Sequence, residues 1–253
     1  MNRTFAIGDV HGELDHLEAV LRQFPALDAE DTIVFIGDLI DRGPQSAAVL
    51  ELVRQELPRR TPARIVVVRG SHEDAWLRVL TSGWPQFILP VGNGTLATLR
   101  SYTGGPRPKE GEVPAKAEYV SMFAGDFFPA DVRAWLAGLP AWYEDEHAIY
   151  VHAGLPKVDG RFVHPSGLAD LKPVIWQRSR EFFTEYEGKR VVFGHTTADL
   201  LPQELSLYTP DDPHDLFFYK SVIGIDTGCG HDGFLTAIEL PSLNVYESRQ
   251  VLK

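Results

Sequence analysis

The feature that most constrains this chain is a repeated habit of its apolar runs. Short stretches rich in Val, Ile and Phe each stop at glycine and a polar residue. Run 4–7 meets Gly8, Asp9, Val10, His11 and Gly12, and run 32–36 meets Gly37 and Asp38, followed by Asp41, Arg42 and Gly43. Run 64–68 leads into Gly70, Ser71, His72, Glu73 and Asp74. Three later runs end in His152-Ala153-Gly154, Gly194-His195-Thr196 and Asp226-Thr227-Gly228. Runs this uniformly apolar read as buried strands rather than half-exposed ones.

Helical spacing fills the gaps between the early runs. Leu14, Leu17, Val20, Leu21 and Phe24 share one face of a helix, and Pro44 is suited to the first position of a second helix carrying Val49, Leu50 and Val53. Strand, turn and helix in alternation predict an α/β fold whose functional groups gather at the carboxyl ends of strands. Runs 234–240 and 244–246 add antiparallel members, so mixed sheets with helices outside are expected. Residues 81–140 read differently: a loop by composition at 104–111, with helical pieces around it carrying Trp84, Phe87, Tyr102, Phe123, Phe127 and Phe128. This predicts a small helical insert beside the site, within a single domain spanning 1–253, its aromatics packing a cap.

Composition excludes several classes. A net charge of -11 argues against a surface that binds nucleic acid through Lys and Arg. One cysteine permits no internal disulfide, no apolar run reaches the length that crosses a bilayer, and the apolar start is too short for a signal peptide. The expectation is a soluble, cytoplasmic monomer.

Taken together, the strand ends offer Asp9, His11, Asp38, Asp41, Arg42, His72, His152 and His195. Imidazole and carboxylate are ligands of divalent first-row metals, and a carboxylate has two oxygens with which to bridge two ions. Asp9 and His11, two residues apart, would chelate one ion from an extended turn.

In this order, the motifs GDVHG, GDLIDRG, GSHED, HAG and GHT resemble the phosphoprotein phosphatase branch of the calcineurin-like metallophosphoesterases. The later segments VIWQRSRE, VVFGHTTA and GIDTGC look like the second half of the phage lambda protein phosphatase. The resemblance implies mixed sheets packed as a sandwich flanked by helices. It implies two divalent ions, Mn²⁺ first among Fe, Zn, Ni, Co and Mg, with Asp9 and His11 on one, His152 and His195 on the other and Asp38 bridging. A hydroxide bridging the pair would attack phosphorus, His72 oriented by Asp41 would protonate the leaving group, and Arg42 and Arg178 would clamp the phosphate. Asp226, Asn93 and Ser101 receive no catalytic role.

Three functions follow from these residues. The first is a phosphomonoesterase acting on phosphoserine and phosphothreonine of phosphoproteins, with phosphotyrosine and small phosphoesters as further substrates. The second is a symmetrical diadenosine tetraphosphate or nucleotide pyrophosphohydrolase, a branch in which the aspartate preceding the arginine is often altered, whereas Asp41-Arg42-Gly43 is intact here. The third is a non-catalytic phosphate-binding protein.

One position departs from the resemblance. The family motif carries asparagine, a ligand of the second metal, where this chain has Ser71. Water could fill the missing position, the serine could be an introduced change that weakens turnover, or the second site could be largely lost. Ser71→Asn is expected to raise phosphatase activity at limiting Mn²⁺, measured by titrating metal against rate. Identical metal dependence and turnover in the two proteins would refute the idea that serine weakens the second site.

Overall fold

A computed structural model describes residues 2–209 and 211–252 of the 253. The strands are β1 Thr4–Ile7, β2 Thr32–Phe35, β3 Arg64–Val67, β4 Trp142–Glu144, β5 Ile149–Val151, β6 Lys157–Val158, β7 Arg161–Phe162, β8 Val191–Phe193, β9 Phe217–Tyr219, β10 Val222–Gly224, β11 Thr236–Leu240 and β12 Val245–Glu247. Two five-stranded mixed sheets result, ordered β12-β11-β1-β2-β3 and β4-β5-β8-β10-β9, with β6 and β7 forming a small hairpin. In the first sheet β1, β2 and β3 run parallel, Thr4 facing Thr32 and Thr32 facing Arg64. In the second, β5, β8 and β10 run parallel.

Alternation of side chains across each strand explains why the runs are apolar throughout. Ala6, Val34 and Ile36 of the first sheet meet Tyr150, Val192 and Ile223 of the second in a buried layer between the sheets. Their neighbours Phe5, Ile7, Ile33 and Phe35 point outward, under the helices that follow β1, β2 and β3. On the far side Ile149, Val151, Val191 and Phe193 pack against Val174, Phe182 and Phe183. The layers are therefore helix, sheet, sheet, helix, the calcineurin-like metallophosphoesterase arrangement.

Helix α1 is Leu14–Leu21, shorter than the predicted face; Phe24 lies beyond its end but still packs on the core. Helix α2 is Ser46–Glu51, starting two residues after Pro44, because Ser46 and Gln45 are drawn into the turn before it. Two more helices follow, α3 Leu57–Arg60 and α4 Ser71–Ser82. Ser71 is the first residue of α4 and Gly70 its cap.

The 81–140 segment contributes α5 Pro85–Ile88, α6 Thr95–Thr103, α7 Lys116–Ala124 and α8 Ala130–Gly138. Its aromatics divide: Phe87 and Phe128 are buried, Trp76 of α4 meets Phe87, Phe127 and Phe128 edge to face, and Phe123 is exposed. Packing of a small cap thus describes Phe127 and Phe128, but Trp84 faces the cleft described below. Strands β4 and β9 were not legible as runs. No helix among the described residues is long and apolar enough to cross a membrane.

Candidate metal centre

Because β1, β2 and β3 are parallel in one sheet and β5, β8 and β10 in the other, six strand ends open at the same edge of the sandwich. Asp9 and His11 follow β1, Asp38, Asp41 and Arg42 follow β2, and Ser71 and His72 follow β3. His152 follows β5, His195 follows β8 and Asp226 follows β10. All but Arg42 are buried, Asp9 and Asp38 at 2% exposure and His152 at 0%.

Asp38 stands at the centre. Its Oδ1 accepts the His72 amide at 2.8 Å, and its Oδ2 accepts the Ser71 hydroxyl at 3.0 Å. His152 Nε2 approaches the same Oδ2 to 3.2 Å from one side and His11 Nε2 to 3.8 Å from the other. Among the described residues two groups of side chains could hold a metal ion, His11 with Asp38 and His72, and Asp38 with His152 and His195. They share Asp38. A Cβ on Gly70 would collide with the Asp38 amide and carboxylate, and one on Gly194 with Asp9 Oδ1, so close approach requires glycine at both positions.

The histidines are prepared as ligands by their outward nitrogens. Nδ1 of His11 pairs with the Ile40 carbonyl at 3.0 Å, Nδ1 of His152 with the Ile36 carbonyl at 2.8 Å, and Nε2 of His195 with the Trp176 carbonyl at 3.2 Å. Such bonds fix the tautomer and turn the other nitrogen toward the site, where Arg42 approaches that of His11. Asp9 Oδ1 and His152 Nε2 are both buried with no hydrogen-bond partner among the described residues. Unsatisfied buried polar atoms are costly, and a divalent cation would satisfy both. The donor set fits the metals expected from the sequence.

The turn that carries Asp9 and His11 is not the extended one expected. His11 lies in the left-handed region at φ 46°, and Asp9 Oδ2 accepts the His195 amide at 3.1 Å. Its free Oδ1 remains available to an ion.

The electrostatics reflect a crowd of charge shielded from water. Burial and the neighbouring Asp226 carboxylate push Asp9 well above the usual carboxylate range. Burial raises Asp226 to about 6. Burial would raise Asp38 too, but His152, His72 and His11 hold it well below. Burial alone would lower His152, yet Asp38 and Asp9 raise it to about 10; burial together with His152 and Arg178 lowers His195 to about 2. Burial and the positive charge of Arg42, which donates to its Nε2, lower His11.

His72 Nδ1 bonds Asp41 Oδ2 at 2.7 Å. Asp41 also accepts Trp76 Nε1 at 3.0 Å and the Thr98 hydroxyl at 2.5 Å, so a residue of the insert helps to aim it. Arg42 and Arg178 line one cleft of about 250 Å³ with Ser71, His72, His195 and an aromatic wall of Trp84, Phe87 and Trp176. Arg178 is further anchored by donating to the His195 carbonyl at 3.0 Å. Asn93 borders this cleft and donates to the Phe87 carbonyl at 2.8 Å, while Ser101 accepts the Ala47 amide at 3.1 Å, outside it.

Sequence reasoning missed the part played by Glu73 and Asp74, whose charges also suit the first turn of α4. Glu73 is 0% exposed, and its carboxylate accepts three amides: Asp38 at 2.8 Å, Leu39 at 2.8 Å and Gly70 at 3.0 Å. Burial and Asp38 push it up to about 7. Asp74 accepts the Trp176 indole at 2.8 Å, tying α4 to the second half of the chain. Thr98 and Trp76 were likewise passed over, with no local spacing to mark them, and Asp226, though it ends an apolar run, was given no role.

The chain belongs to the calcineurin-like phosphoesterase family, whose description residues 3–199 match. It is similar to a symmetrical bis(5'-nucleosyl)-tetraphosphatase of Janthinobacterium sp. (strain Marseille), 26% identical over 290 aligned positions that cover 94% of this chain and 92% of that protein. It is similar as well to serine/threonine-protein phosphatase 1 of Salmonella typhimurium, 38% identical over 176 positions, 70% of this chain and 68% of that one. Among solved structures, a putative diadenosine tetraphosphatase shares the fold, with a TM-score of 0.54 at 20% identity, covering 97% of this chain and 92% of that chain.

Glu73→Gln places an NH₂ group against one of the three amides that the carboxylate accepts. It is expected to destabilise the fold by about 1–3 kcal/mol and to weaken metal affinity about 10–100-fold. Urea unfolding and metal titration read the two effects, and native values for both would show that the Glu73 clamp does not hold the site.

Proposed function

We propose that the protein is a divalent-metal-dependent phosphomonoesterase acting on phosphoserine and phosphothreonine, with phosphotyrosine and small phosphoesters also accepted. Asp9, His11 and Asp38 would hold one ion and Asp38, His152 and His195 the other, with Ser71 beside the second; Mn²⁺ is the proposed metal. Such ions, when bound, supply activation of a water and neutralisation of phosphoryl charge. The chain's own residues do the rest. Arg42 and Arg178, on one cleft, orient the phosphate by bidentate hydrogen bonds. His72 holds a proton on Nε2 for the departing oxygen, with Nδ1 fixed on Asp41.

The observation that carries this reading is the buried His72–Asp41 pair, with Trp76 and Thr98 completing the Asp41 carboxylate. A serine or threonine alkoxide is a strongly basic leaving group that needs a proton as it departs. A nucleotide phosphate leaving from an anhydride is a far weaker base and needs none. An intact device for delivering a proton is therefore better matched to phosphomonoesters.

The second reading, a symmetrical dinucleoside tetraphosphatase, is favoured by the Janthinobacterium relative, which aligns over nearly the whole of both chains. The readings part on leaving-group dependence. At saturating Mn²⁺, His72→Asn is expected to slow phosphoserine-peptide hydrolysis by about 10²–10⁴-fold and p-nitrophenyl phosphate hydrolysis, whose leaving group is weakly basic, far less. Equal losses on both esters, or a native enzyme that cleaves diadenosine tetraphosphate in preference to phosphopeptides and keeps that activity in His72→Asn, would overturn the phosphomonoesterase reading.

A further inference from the structure

Phe87, in α5 of the insert, packs against both rings that the Asp41 carboxylate holds. It stands edge to face with His72, ring centroids 5.5 Å apart at 76°, and with the Trp76 indole, 5.9 Å apart at 85°. These separations lie in the range that favours perpendicular aromatic pairs. Because Asp41 bonds His72 Nδ1 and accepts Trp76 Nε1, the carboxylate, imidazole, indole and phenyl ring close a loop of contacts. Phe87 is buried, yet it borders the cleft that holds Arg42 and Arg178.

Phe87 is itself held in place. Its carbonyl accepts Asn93 Nδ2 at 2.8 Å, and its amide donates to the Trp84 carbonyl at 3.1 Å. The Trp84 ring stacks on it, 5.8 Å between centroids and 18° from parallel. Trp84 is fixed in turn by the Arg78 guanidinium, 3.8 Å from its ring centroid, and by Trp176 at 5.7 Å and 70°. The Trp176 indole donates to Asp74. Asp74 and Arg78 belong to α4, the helix that carries His72 and Trp76, so the aromatic wall is braced by the helix it packs on.

One hydrogen bond fixes one atom of an imidazole, and the histidine χ2 torsion is broad, so the bond to Asp41 leaves the tilt of the His72 ring to its packing. Two rings stand perpendicular to it among the described residues, His11 at 4.8 Å and 77° and Phe87. His11 is oriented by its own bond to Ile40 and faces Asp38. We propose that Phe87 is a positioning residue for proton delivery, holding the His72 imidazole at the tilt that aims Nε2 at the departing oxygen. The assignment rests on the phosphomonoesterase reading, in which His72 is the proton donor. Phe87 carries no proton and acts through His72.

The test is a double-mutant cycle in the full chain at saturating Mn²⁺, combining Phe87→Ala or Phe87→Leu with His72→Asn. For each variant kcat and KM are measured on a phosphoserine peptide and on p-nitrophenyl phosphate. Phe87→Ala is expected to lower kcat on the peptide about tenfold, a share of what proton transfer and its alignment supply. KM should stay near native, and p-nitrophenyl phosphate turnover should fall far less. Phe87→Leu, which keeps apolar bulk without a ring, should lie between Phe87→Ala and native. In the His72→Asn background either Phe87 change should cost nothing further, because a residue that acts through another is not additive with it. Equal losses on both esters, an additive loss in the double variants, or a fall in Mn²⁺ affinity matching the loss of rate would overturn the positioning role. Urea unfolding checks that each variant folds, and Phe87→Leu carries the cycle if Phe87→Ala does not. A slow His72→Asn beside a native Phe87→Ala would refute the role of Phe87 alone. Native peptide turnover in His72→Asn would instead refute the proton donor on which the phosphomonoesterase reading stands.

Discussion

Everything at the strand ends is arranged around one carboxylate. Asp38 is removed from water, yet its two oxygens meet an amide, a hydroxyl and two imidazoles drawn from three strand ends of both sheets. Burying a carboxylate is costly unless it is hydrogen-bonded and paired. Here the partners come from segments far apart in sequence, so the charge is accommodated only when both sheets are in register. Fold and site are in that sense a single structure: the layer of Ala6, Val34, Ile36, Tyr150, Val192 and Ile223 between the sheets sets the spacing at which His152 reaches Asp38.

Holding such a group requires unusual backbone. His11, Asp38, Asp41, Arg42 and His195 all have φ between 46° and 72°. Non-glycine residues in this region cost about 1–3 kcal/mol each, and five of them at one site persist only because their surroundings fix them. Glu73 accepts the Asp38 and Leu39 amides, the Asp41 amide donates to Thr98 Oγ1 at 2.9 Å, and the Arg42 amide donates to the Gly94 carbonyl at 3.2 Å. Gly94 and Thr98 belong to the helical insert. The insert therefore fastens the turn that presents Asp41 and Arg42, a role beyond covering the cleft.

How much of this was legible in the sequence depended on how local the cause was. The parallel strands announced themselves because burial on both faces makes every position apolar, and the glycine and polar residue after each run marked the end at which the site lies. The histidines and aspartates followed from those ends. Glu73 did not, because a glutamate in the first turn of a helix has an ordinary local explanation, and only the tertiary placement of the 37–39 turn beside it reveals three amides in need of an acceptor. Thr98 and Trp76 were hidden for the same reason. The extended turn expected at Asp9 and His11 was mistaken because alternation applies to a strand, and His11 has already left it. Ser71 gains a local partner in Asp38, which shows how serine is accommodated there but leaves its reach shorter than that of asparagine.

The central proposal is that Asp38 is shared by two metal ions. Elemental analysis of protein dialysed against graded Mn²⁺, with anomalous scattering from crystals to locate the ions, tests it most directly. Two ions per chain at saturation, the one nearer Ser71 lost first on dilution and both lost in Asp38→Asn, is the predicted result. A single ion at saturation, or an Asp38→Asn protein that retains either ion with native affinity, would contradict it.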